Sequence, residues 1–281
     1  MPARNAAARI LRTLESLASQ TYQAWELIVT DDGSTDATSE TVRAWAASIP
    51  NSVRVVAGSA EGPSAARNRA AQVAEGSLLA FLDADDVWAP QKLSAQVRGL
   101  TNDPQLSGVT CDYNIVGLDR EASRKRVSFN WSDQEVRRWA LLEGRGPALC
   151  STLMIRASAF QSVDGFDEKL WNLEDVDLAL RLLANHQLTN IAMPLCDYTV
   201  MPGQNHQDPT TVPAAVEYLI TKESYLSTEA DRRRITTNVD LLVLTRTYRR
   251  HRSLSSLWPL IALAARRPIN VARTVAVTLL R

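Results

Sequence analysis

The sequence of 281 residues has only three cysteines, which are widely spaced and form no C-x-x-C pair. Neither a disulfide scaffold nor a structural zinc site is therefore expected, and so few cysteines are typical of a reducing compartment. The sequence also lacks the uncharged apolar run of about 18 residues that a clear membrane-spanning helix needs. Residues 1–20 lack the apolar core of a signal peptide. Together these absences predict a cytoplasmic protein.

Charge is balanced over the whole chain, with 31 basic and 31 acidic residues, but it is distributed unevenly. Residues 232–281 carry 11 arginines and a single acid, Asp240. The first 231 residues therefore carry 20 basic and 30 acidic residues. An acidic body of this kind repels the phosphates of nucleic acids, so no nucleic-acid partner is expected. The two parts of the chain are predicted to contact different partners.

The basic tail alternates arginines with apolar clusters, such as residues 241–244 and 254–265. This alternation predicts amphipathic helices. One interpretation is peripheral association with the cytoplasmic face of the inner membrane, where arginines contact anionic headgroups. The alternative is that these helices pack on the acidic body or form a subunit contact.

Short apolar strands alternate with helices over the first hundred residues. Strands are predicted at 25–30, 53–56 and 78–82, and helices at 6–19 (capped by Asn5), 36–45 and 65–75. Further strands are predicted at 108–113 and 151–155, and a helix at 175–185. The alternation is typical of an α/β fold with a Rossmann-like, mostly parallel sheet and flanking helices.

The amino end departs from this pattern, because only five residues precede the first predicted helix. A parallel sheet of this kind usually begins with a strand. We therefore expect a truncated first strand, with an apolar strand of about five to eight residues missing upstream. The alternative is a domain that begins with a helix.

Acidic residues follow two of the predicted strands. Asp31 ends the strand at 25–30, and Asp83, Asp85 and Asp86 follow the strand at 78–82. Carboxyl ends of parallel strands share one edge of a sheet, where ligands bind. Three carboxylates within four residues repel one another, and Mg²⁺ or Mn²⁺ would relieve this repulsion. The alternative is a solvated acidic turn that caps the next helix.

Five segments resemble the family 2 glycosyltransferases of the GT-A fold and keep that family's order. They are residues 25–36, 62–68, 81–88, 165–168 and 174–178. The resemblance covers roughly residues 2–200. Residues 2–5 are similar to the loop that follows the family's first strand, which fits the expected truncation. The resemblance implies a GT-A fold, and the amphipathic pattern of the basic tail predicts a C-terminal helical appendage after it.

The resemblance implies that one set of residues binds the nucleotide: Ala3, Arg4, Asp31, Arg67, Asp83 and Ala84. Asp31 would hydrogen-bond the base, with uracil expected, and Arg67 would lie near the base or the diphosphate. Arg4 departs from the family, which often has an aromatic residue at that position. Asp85, together with Asp83, would hold Mn²⁺ or Mg²⁺.

The resemblance also implies an acceptor site. Trp171, Asn172 and Glu174 would contact the acceptor, and Asp175 would be the catalytic base. The implied reaction moves a sugar, with inversion, from a UDP-linked donor to a hydroxyl of a glycan or lipid-linked acceptor.

Residues 1–230 would form the GT-A domain, with a nucleotide-binding half at 1–105 and an acceptor half at 106–230. Residues 231–281 would be the basic tail. Two alternatives stay open. Residues 83–87 also fit the motif of a haloacid-dehalogenase-type phosphatase, in which Asp83 is the nucleophile. The chain could also be a non-catalytic carbohydrate-binding subunit.

Overall fold

A computed structural model describes residues 1–117, 125–128, 150–199 and 211–222, together with Glu229 and Arg233. The chain divides into two compact units, residues 1–141 with 145–201 and residues 142–144 with 202–281. Apart from Arg233, the predicted basic tail lies outside the described residues, as does most of the stretch at 118–149. The tail and the boundary at residue 230 therefore stay predictions. In the part of the chain that is described, no helix combines the length and apolarity needed to cross a membrane.

Strands and helices alternate at the amino end of the first unit, in the predicted order. The elements are β1 (Pro2–Ala3), α1 (Ile10–Ala18), β2 (Glu26–Asp31), α2 (Thr38–Ala46), β3 (Ser52–Ala57), α3 (Pro63–Gln72) and β4 (Leu78–Ala80). Strands β1, β2 and β3 form a parallel sheet with β2 in the centre. Helix α1 buries Ile10, Leu14 and Leu17, which share one face at helical spacing.

A second sheet contains the longest strands. The remaining elements of this unit are β5 (Val87–Trp88), α4 (Lys92–Asn102), β6 (Leu106–Val116), β7 (Lys125–Val127), a 3₁₀ turn (Cys150–Thr152), β8 (Met154–Arg156), α5 (Ala157–Ser162), α6 (Glu174–Asn185) and β9 (Gln187–Thr199). The strand order is β4-β8-β6-β9-β5, and β7 also pairs with β6. Among the described strands of this sheet, only β6 and β9 pair in parallel. The predicted α/β fold with a parallel sheet and flanking helices is confirmed, and the second sheet is mixed.

The amino end differs in detail from the sequence prediction. Helix α1 begins at Ile10 and not at residue 6, and Asn5 does not cap it. Asn5 instead has a φ of 48°, and its side-chain oxygen accepts a hydrogen bond from the Thr35 amide at 2.8 Å. The Ala6 amide donates to the Thr38 hydroxyl at 2.8 Å. Contacts with the neighbouring loop therefore replace the first helical turn.

Strand β1 pairs with β2 through both backbone and terminal groups. The Met1 amino group donates to the Ile28 carbonyl at 2.8 Å, and the Thr30 amide donates to the Met1 carbonyl at 2.9 Å. The Asp32 amide continues the ladder to the Ala3 carbonyl at 2.8 Å. The chain thus enters the sheet as a strand, which carries Ala3 to the same edge as Asp31.

Cys111, Cys150 and Cys196 are free and buried, as ordinary packing residues would be. In the second unit, helix α7 (Thr211–Thr221) buries Ala215 and Leu219 and exposes Glu217. This helix is therefore amphipathic.

Candidate active site

The acidic segment after β4 concentrates negative charge. Asp83 and Asp85 are half-buried, and Asp86 is fully buried. One Asp86 oxygen accepts a hydrogen bond from the Thr199 amide at 2.9 Å. Burial raises the pKa of Asp86, and the neighbouring charges of Asp83 and Asp85 raise it further. Three carboxylates in mutual repulsion favour the approach of a cation.

Buried polar side chains hold this acidic segment from behind. The Asp83 amide donates to the Ser151 hydroxyl at 3.1 Å, and the Trp88 indole donates to the Ser151 carbonyl at 2.8 Å. The fully buried Lys92 ammonium lies 3.9 Å from the Trp88 ring centroid and donates to Gln96. Gln96 in turn donates to the Thr152 carbonyl at 2.7 Å. The backbone that carries the acids is therefore anchored at several points.

One face of helix α3 holds the segment at 165–174. Ser64 and Asn68 are four residues apart and so lie on the same face. The Ser64 hydroxyl donates to the Leu170 carbonyl at 2.7 Å. Asn68 donates to the Phe166 carbonyl at 2.8 Å and accepts from the Phe166 amide at 2.9 Å. The helix is thus fixed to the predicted acceptor segment.

Arg67 lies on that same face. It contacts one acid of the segment after β4 and one acid at the start of α6. Its guanidinium contacts an Asp83 oxygen at 2.6 Å and a Glu174 oxygen at 2.9 Å, and its side chain is only 4% exposed. Burial opposes the charge of Arg67, but the Asp83 carboxylate and other nearby acids outweigh burial and hold its pKa well above the usual value. The side chain predicted to contact the nucleotide therefore lies between Asp83, which is predicted to bind the nucleotide and the metal, and Glu174, which is predicted to contact the acceptor.

Asp175 lies in the first turn of α6, directly beside Glu174. Leu173, the residue before that pair, has a φ of 63°. Burial raises the pKa of Asp175 to about 8, and the Glu174 charge adds to the shift. The Val176 amide, which donates to Asp175 at 2.8 Å, acts in the opposite direction. A carboxyl group with a pKa of this size can exchange protons near neutral pH.

Two tyrosines that the sequence did not indicate interact electrostatically with the acids of this cluster. Tyr113 in β6 and Tyr198 in β9 form an edge-on pair with ring centroids 6.4 Å apart. Burial raises the pKa of Tyr113 to about 12, with a contribution from Asp175. Burial also raises the pKa of Tyr198, with contributions from Asp86 and other acids. Both lie within long strands, where nothing in the local sequence distinguishes a site residue from a core residue.

The end of β2 forms a second polar group. The Asp31 carboxylate accepts hydrogen bonds from the Ser34 amide at 2.9 Å and from the Ser39 hydroxyl. These bonds outweigh burial and lower the pKa of Asp31. Ala3 is the register partner of Asp31, and Arg4 beside it is exposed. The predicted base-binding residues thus share the carboxyl ends of β1 and β2.

Asp32 holds the turn at Glu61 and Gly62 against the end of β2. The buried Asp32 carboxylate accepts hydrogen bonds from the Glu61 amide at 3.0 Å and the Gly62 amide at 2.9 Å. Gly62 has a φ of 96°, and a Cβ atom there would lie 3.1 Å from the Trp171 ring. Trp171 is 46% exposed although its ring rests on Gly62, whereas Asn172 is buried. The predicted contact residue Trp171 is therefore held in place while one face stays open to solvent.

We expect Gly62→Ala to destabilise the protein by about 1–3 kcal/mol, because alanine disfavours this φ and its methyl group displaces the Trp171 ring. Urea unfolding followed by tryptophan fluorescence measures both effects. The matched control is Gly99→Ala in α4, where the nearest atom to a new Cβ lies at an ordinary 3.6 Å. There alanine should be neutral or stabilising. Equal losses in the two variants would contradict this account of Gly62.

The predicted residues therefore fall into two groups. Arg67, Asp83, Asp85, Glu174 and Asp175 form one electrostatic cluster. The other group, around Asp31, lies at the carboxyl end of β2. Ala84, which lies between Asp83 and Asp85 in the sequence, is buried. Within the described ranges, no set of three or more acidic, histidine or cysteine side chains forms a complete metal site. Ser64, Asn68 and Ser151 also support the cluster and were not predicted to belong to the site, whereas Asp86 was expected as the third carboxylate of the acidic segment.

The chain is similar in sequence to known proteins. The family model described as glycosyl transferase family 2 matches residues 1–163. Over 135 residues the chain is 39% identical to the Escherichia coli UDP-Glc:alpha-D-GlcNAc-diphosphoundecaprenol beta-1,3-glucosyltransferase WfgD, with 46% of this chain and 52% of that protein covered. The E. coli enzyme WfaP, which has the same descriptive name, is 31% identical over 58% of this chain and 63% of its own length. The chain thus spans about half to two thirds of these relatives.

Solved structures with the same fold cover nearly the whole chain. S. aureus TarS 1–349 in complex with UDP-GlcNAc matches with a TM-score of 0.64 and 18% identity, covering 97% of this chain and 82% of that chain. The mannosyltransferase PcManGT from Pyrobaculum calidifontis, in complex with GDP-Man and Mn²⁺, matches with a TM-score of 0.62 and 21% identity, covering 98% and 77%. At these identities the likeness establishes the fold.

Proposed function

Since the chain belongs to glycosyl transferase family 2, we propose that it transfers a sugar from a nucleotide-sugar donor to a hydroxyl group of an acceptor. The proposed donor is UDP-linked, and the proposed acceptor is a glycan or a lipid-linked sugar. The reaction is a single displacement that inverts the anomeric centre. The protein acts in the cytoplasm, and its basic tail brings it to the inner face of the membrane.

The observation that carries this proposal is the position of Arg67. Its guanidinium pairs with Asp83, which follows β4, and with Glu174, which precedes the proposed base. A sugar-transfer site needs a region for the leaving diphosphate beside a base for the incoming hydroxyl. Arg67 ties the segments that would supply these two regions together at hydrogen-bond distance.

Asp175 is the proposed catalytic base. An acceptor hydroxyl is a weak nucleophile until a base takes its proton, and a positioned base typically contributes about 10²–10⁴-fold to the rate. The raised pKa of Asp175, about 8, makes its carboxylate more basic than an exposed aspartate. Trp171, with its exposed ring surface, and Glu174 would orient the acceptor.

The acidic segment has the donor chemistry of a divalent-cation site. Asp85 and Asp83 would hold Mn²⁺ or Mg²⁺, since such ions are bound by one or two carboxylates together with substrate phosphates. The mutual repulsion of Asp83, Asp85 and Asp86 fits this role, because a cation would relieve it. When bound, the ion supplies positive charge against the diphosphate. Arg67 keeps the Asp83 side chain oriented.

The choice of UDP is supported by the similarity to WfgD and WfaP, which are named as UDP-Glc transferases, and by the TarS complex with UDP-GlcNAc. The group at the ends of β1 and β2, with Asp31 and Arg4, is the proposed base site. The names of WfgD and WfaP suggest a diphosphoundecaprenol-linked acceptor. If the acceptor is attached to such a lipid, the enzyme must work at the membrane, which would explain its basic tail.

Thermal unfolding with a panel of nucleotides, each with and without Mn²⁺, tests the proposal. UDP with Mn²⁺ should raise the melting temperature more than UDP alone, because a ligand stabilises the folded form that binds it. Asp85→Ala should remove the Mn²⁺-dependent part, whereas Glu15→Ala, an exposed acid on α1, should retain it. The proposal fails if no nucleotide shifts the melting temperature. Trapping a phospho-aspartate at Asp83 would instead favour the phosphatase.

A further inference from the structure

The tyrosine pair of the second sheet lies on its two parallel strands, β6 and β9. Tyr113 is the register partner of Cys196, and Tyr198 is the register partner of Ile115. Opposed residues of adjacent strands have their side chains on the same face of a sheet, and so do residues two apart on one strand. Both tyrosine rings therefore lie on one face, where their centroids are 6.4 Å apart.

The acidic segment after β4 meets β9 beside Tyr198. Strand β5, which follows the acids directly, pairs antiparallel with β9 and has Val87 opposite Asp197. The next step of this register brings Asp86 opposite Tyr198. The Asp86 carboxylate accepts a hydrogen bond from the Thr199 amide at 2.9 Å, so the contact between the two segments continues past the end of β5. Tyr198 and Asp86 are consequently neighbours on the same face of the sheet.

The surroundings of the Tyr198 hydroxyl are acidic. Burial raises the pKa of Tyr198, and the charges of Asp86, Asp83, Asp175 and Asp85 raise it further. These four acids include both predicted metal ligands and the proposed base. A phenol in such surroundings keeps its proton, whereas ionised carboxylates can only accept hydrogen bonds. Tyr198 therefore brings a neutral O–H donor to a cluster that consists mainly of acceptors.

The diphosphate of a nucleotide needs such donors, because its oxygens are anionic acceptors and the carboxylates repel them. Arg67 belongs to the same cluster, but its two terminal nitrogens already contact Asp83 and Glu174. Tyr198 is half-buried, so part of its side chain is accessible from solvent. A hydroxyl that donates to a charged oxygen makes a stronger hydrogen bond than one that donates to a neutral oxygen.

We propose that Tyr198 is a donor-binding residue whose hydroxyl donates a hydrogen bond to the diphosphate of the nucleotide sugar. The inference rests on the proposed function and adds to it a contact from β9, a strand that carries none of the residues predicted from the sequence. Tyr113 is buried and acts as a positioning residue, because its ring holds the Tyr198 ring edge-on.

Tyr198→Phe tests the contact, because it removes the hydroxyl and keeps the ring. With Mn²⁺ present, its affinity for UDP should be about tenfold weaker than that of the wild-type protein. Its affinity for uridine, which has no phosphate, should be unchanged. Calorimetric titration measures UDP binding, and NMR shift titration measures uridine binding. The melting temperatures of the unliganded proteins show whether the fold is retained.

Tyr22→Phe is the matched control, because Tyr22 is also half-buried but lies before the amino end of β2, at the opposite end of that strand from Asp31. It should bind UDP as tightly as the wild-type protein. Equal UDP affinities of the wild type and Tyr198→Phe would overturn this inference and leave the proposed function intact. An equal loss for UDP and uridine would overturn the contact with the diphosphate. Failure of the wild-type protein to bind UDP would overturn the proposed UDP-linked donor as well.

Discussion

Asp175→Asn is expected to abolish sugar transfer and, at the same time, to stabilise the protein. Asparagine has nearly the shape of aspartate but cannot accept the acceptor proton, so the rate should fall by about 10²–10⁴-fold. Donor binding should persist, because Asp83 and Asp85 are unchanged. The gain in stability follows because the structure disfavours a charge at Asp175, as its raised pKa of about 8 shows.

The direction of the expected stability change follows from the pH dependence of the free energy of unfolding. In the unfolded chain an aspartate loses its proton near the ordinary value of 3.8, but in the folded protein Asp175 retains it up to about 8. Between these values the folded state binds more protons, so the stability contributed by this group decreases as pH rises. The asparagine variant does not titrate and has no such loss. The advantage of Asp175→Asn should therefore grow from about pH 4 to about pH 8, by at most about 1.4 kcal/mol per pH unit, and then level off.

Urea unfolding across this pH range, with transfer assays of the same preparations, measures both effects. The control is Asp36→Asn, because hydrogen bonding lowers the pKa of Asp36, with Thr38 as the main donor. Removing that charge should lower stability at neutral pH. In the wild-type protein, kcat/KM should rise about tenfold per pH unit below about 8 and then level off. Normal transfer by Asp175→Asn would refute its role as the base.

Arg67→Met is expected to destabilise the protein by about 3–5 kcal/mol. The change removes a buried guanidinium and leaves two partly buried carboxylates, Asp83 and Glu174, without their partner. The cost arises mainly from the unpaired charges. Adding Glu174→Gln to Arg67→Met should therefore recover part of the loss. Chemical denaturation of the single and double variants measures this coupling.

Arg69→Met is the matched control, since Arg69 lies on the same helix and also pairs with an acid, Glu61. Both partners of that pair are partly exposed. Solvent screens such a pair, so its loss should change stability by less than about 1 kcal/mol. If Arg67→Met and Arg69→Met were equally stable, the buried guanidinium would not hold the two acidic segments together.

Much of the fold was predictable because its signals are local. Apolar runs and helical spacing predicted β2, α2, β3 and α6 to within a few residues. Strand β9 was not predicted, because its polar residues and Pro194 interrupt the alternation, and its pairing with β6 contains register shifts. Its stability as a strand depends on a partner about eighty residues away, which local sequence cannot show.

The acids of the site were predictable, but their connections were not. Asp83, Asp85 and Asp175 follow strand ends or begin a helix, and such positions can be recognised from the sequence. The placement of Arg67 near the nucleotide, which the family resemblance implies, stays a prediction. Its ion pairs with Asp83 and Glu174 were not predicted, because a helix pattern does not show which partner a charged side chain contacts. The spacing of Ser64 and Asn68, both polar in a helix of small residues, was a usable signal that one face of α3 contacts another segment.

The buried anchor behind the acidic segment, made by Trp88, Lys92, Gln96 and Ser151, has a consequence for how such a protein can diversify. These side chains hold Asp83 in place from inside the protein, whereas about half of the Trp171 side chain is exposed to solvent. On the proposed function, replacing exposed side chains around Trp171 would alter acceptor preference and leave donor chemistry intact. Redesign of this scaffold for new sugar linkages should therefore begin on the solvent side of the 165–174 segment.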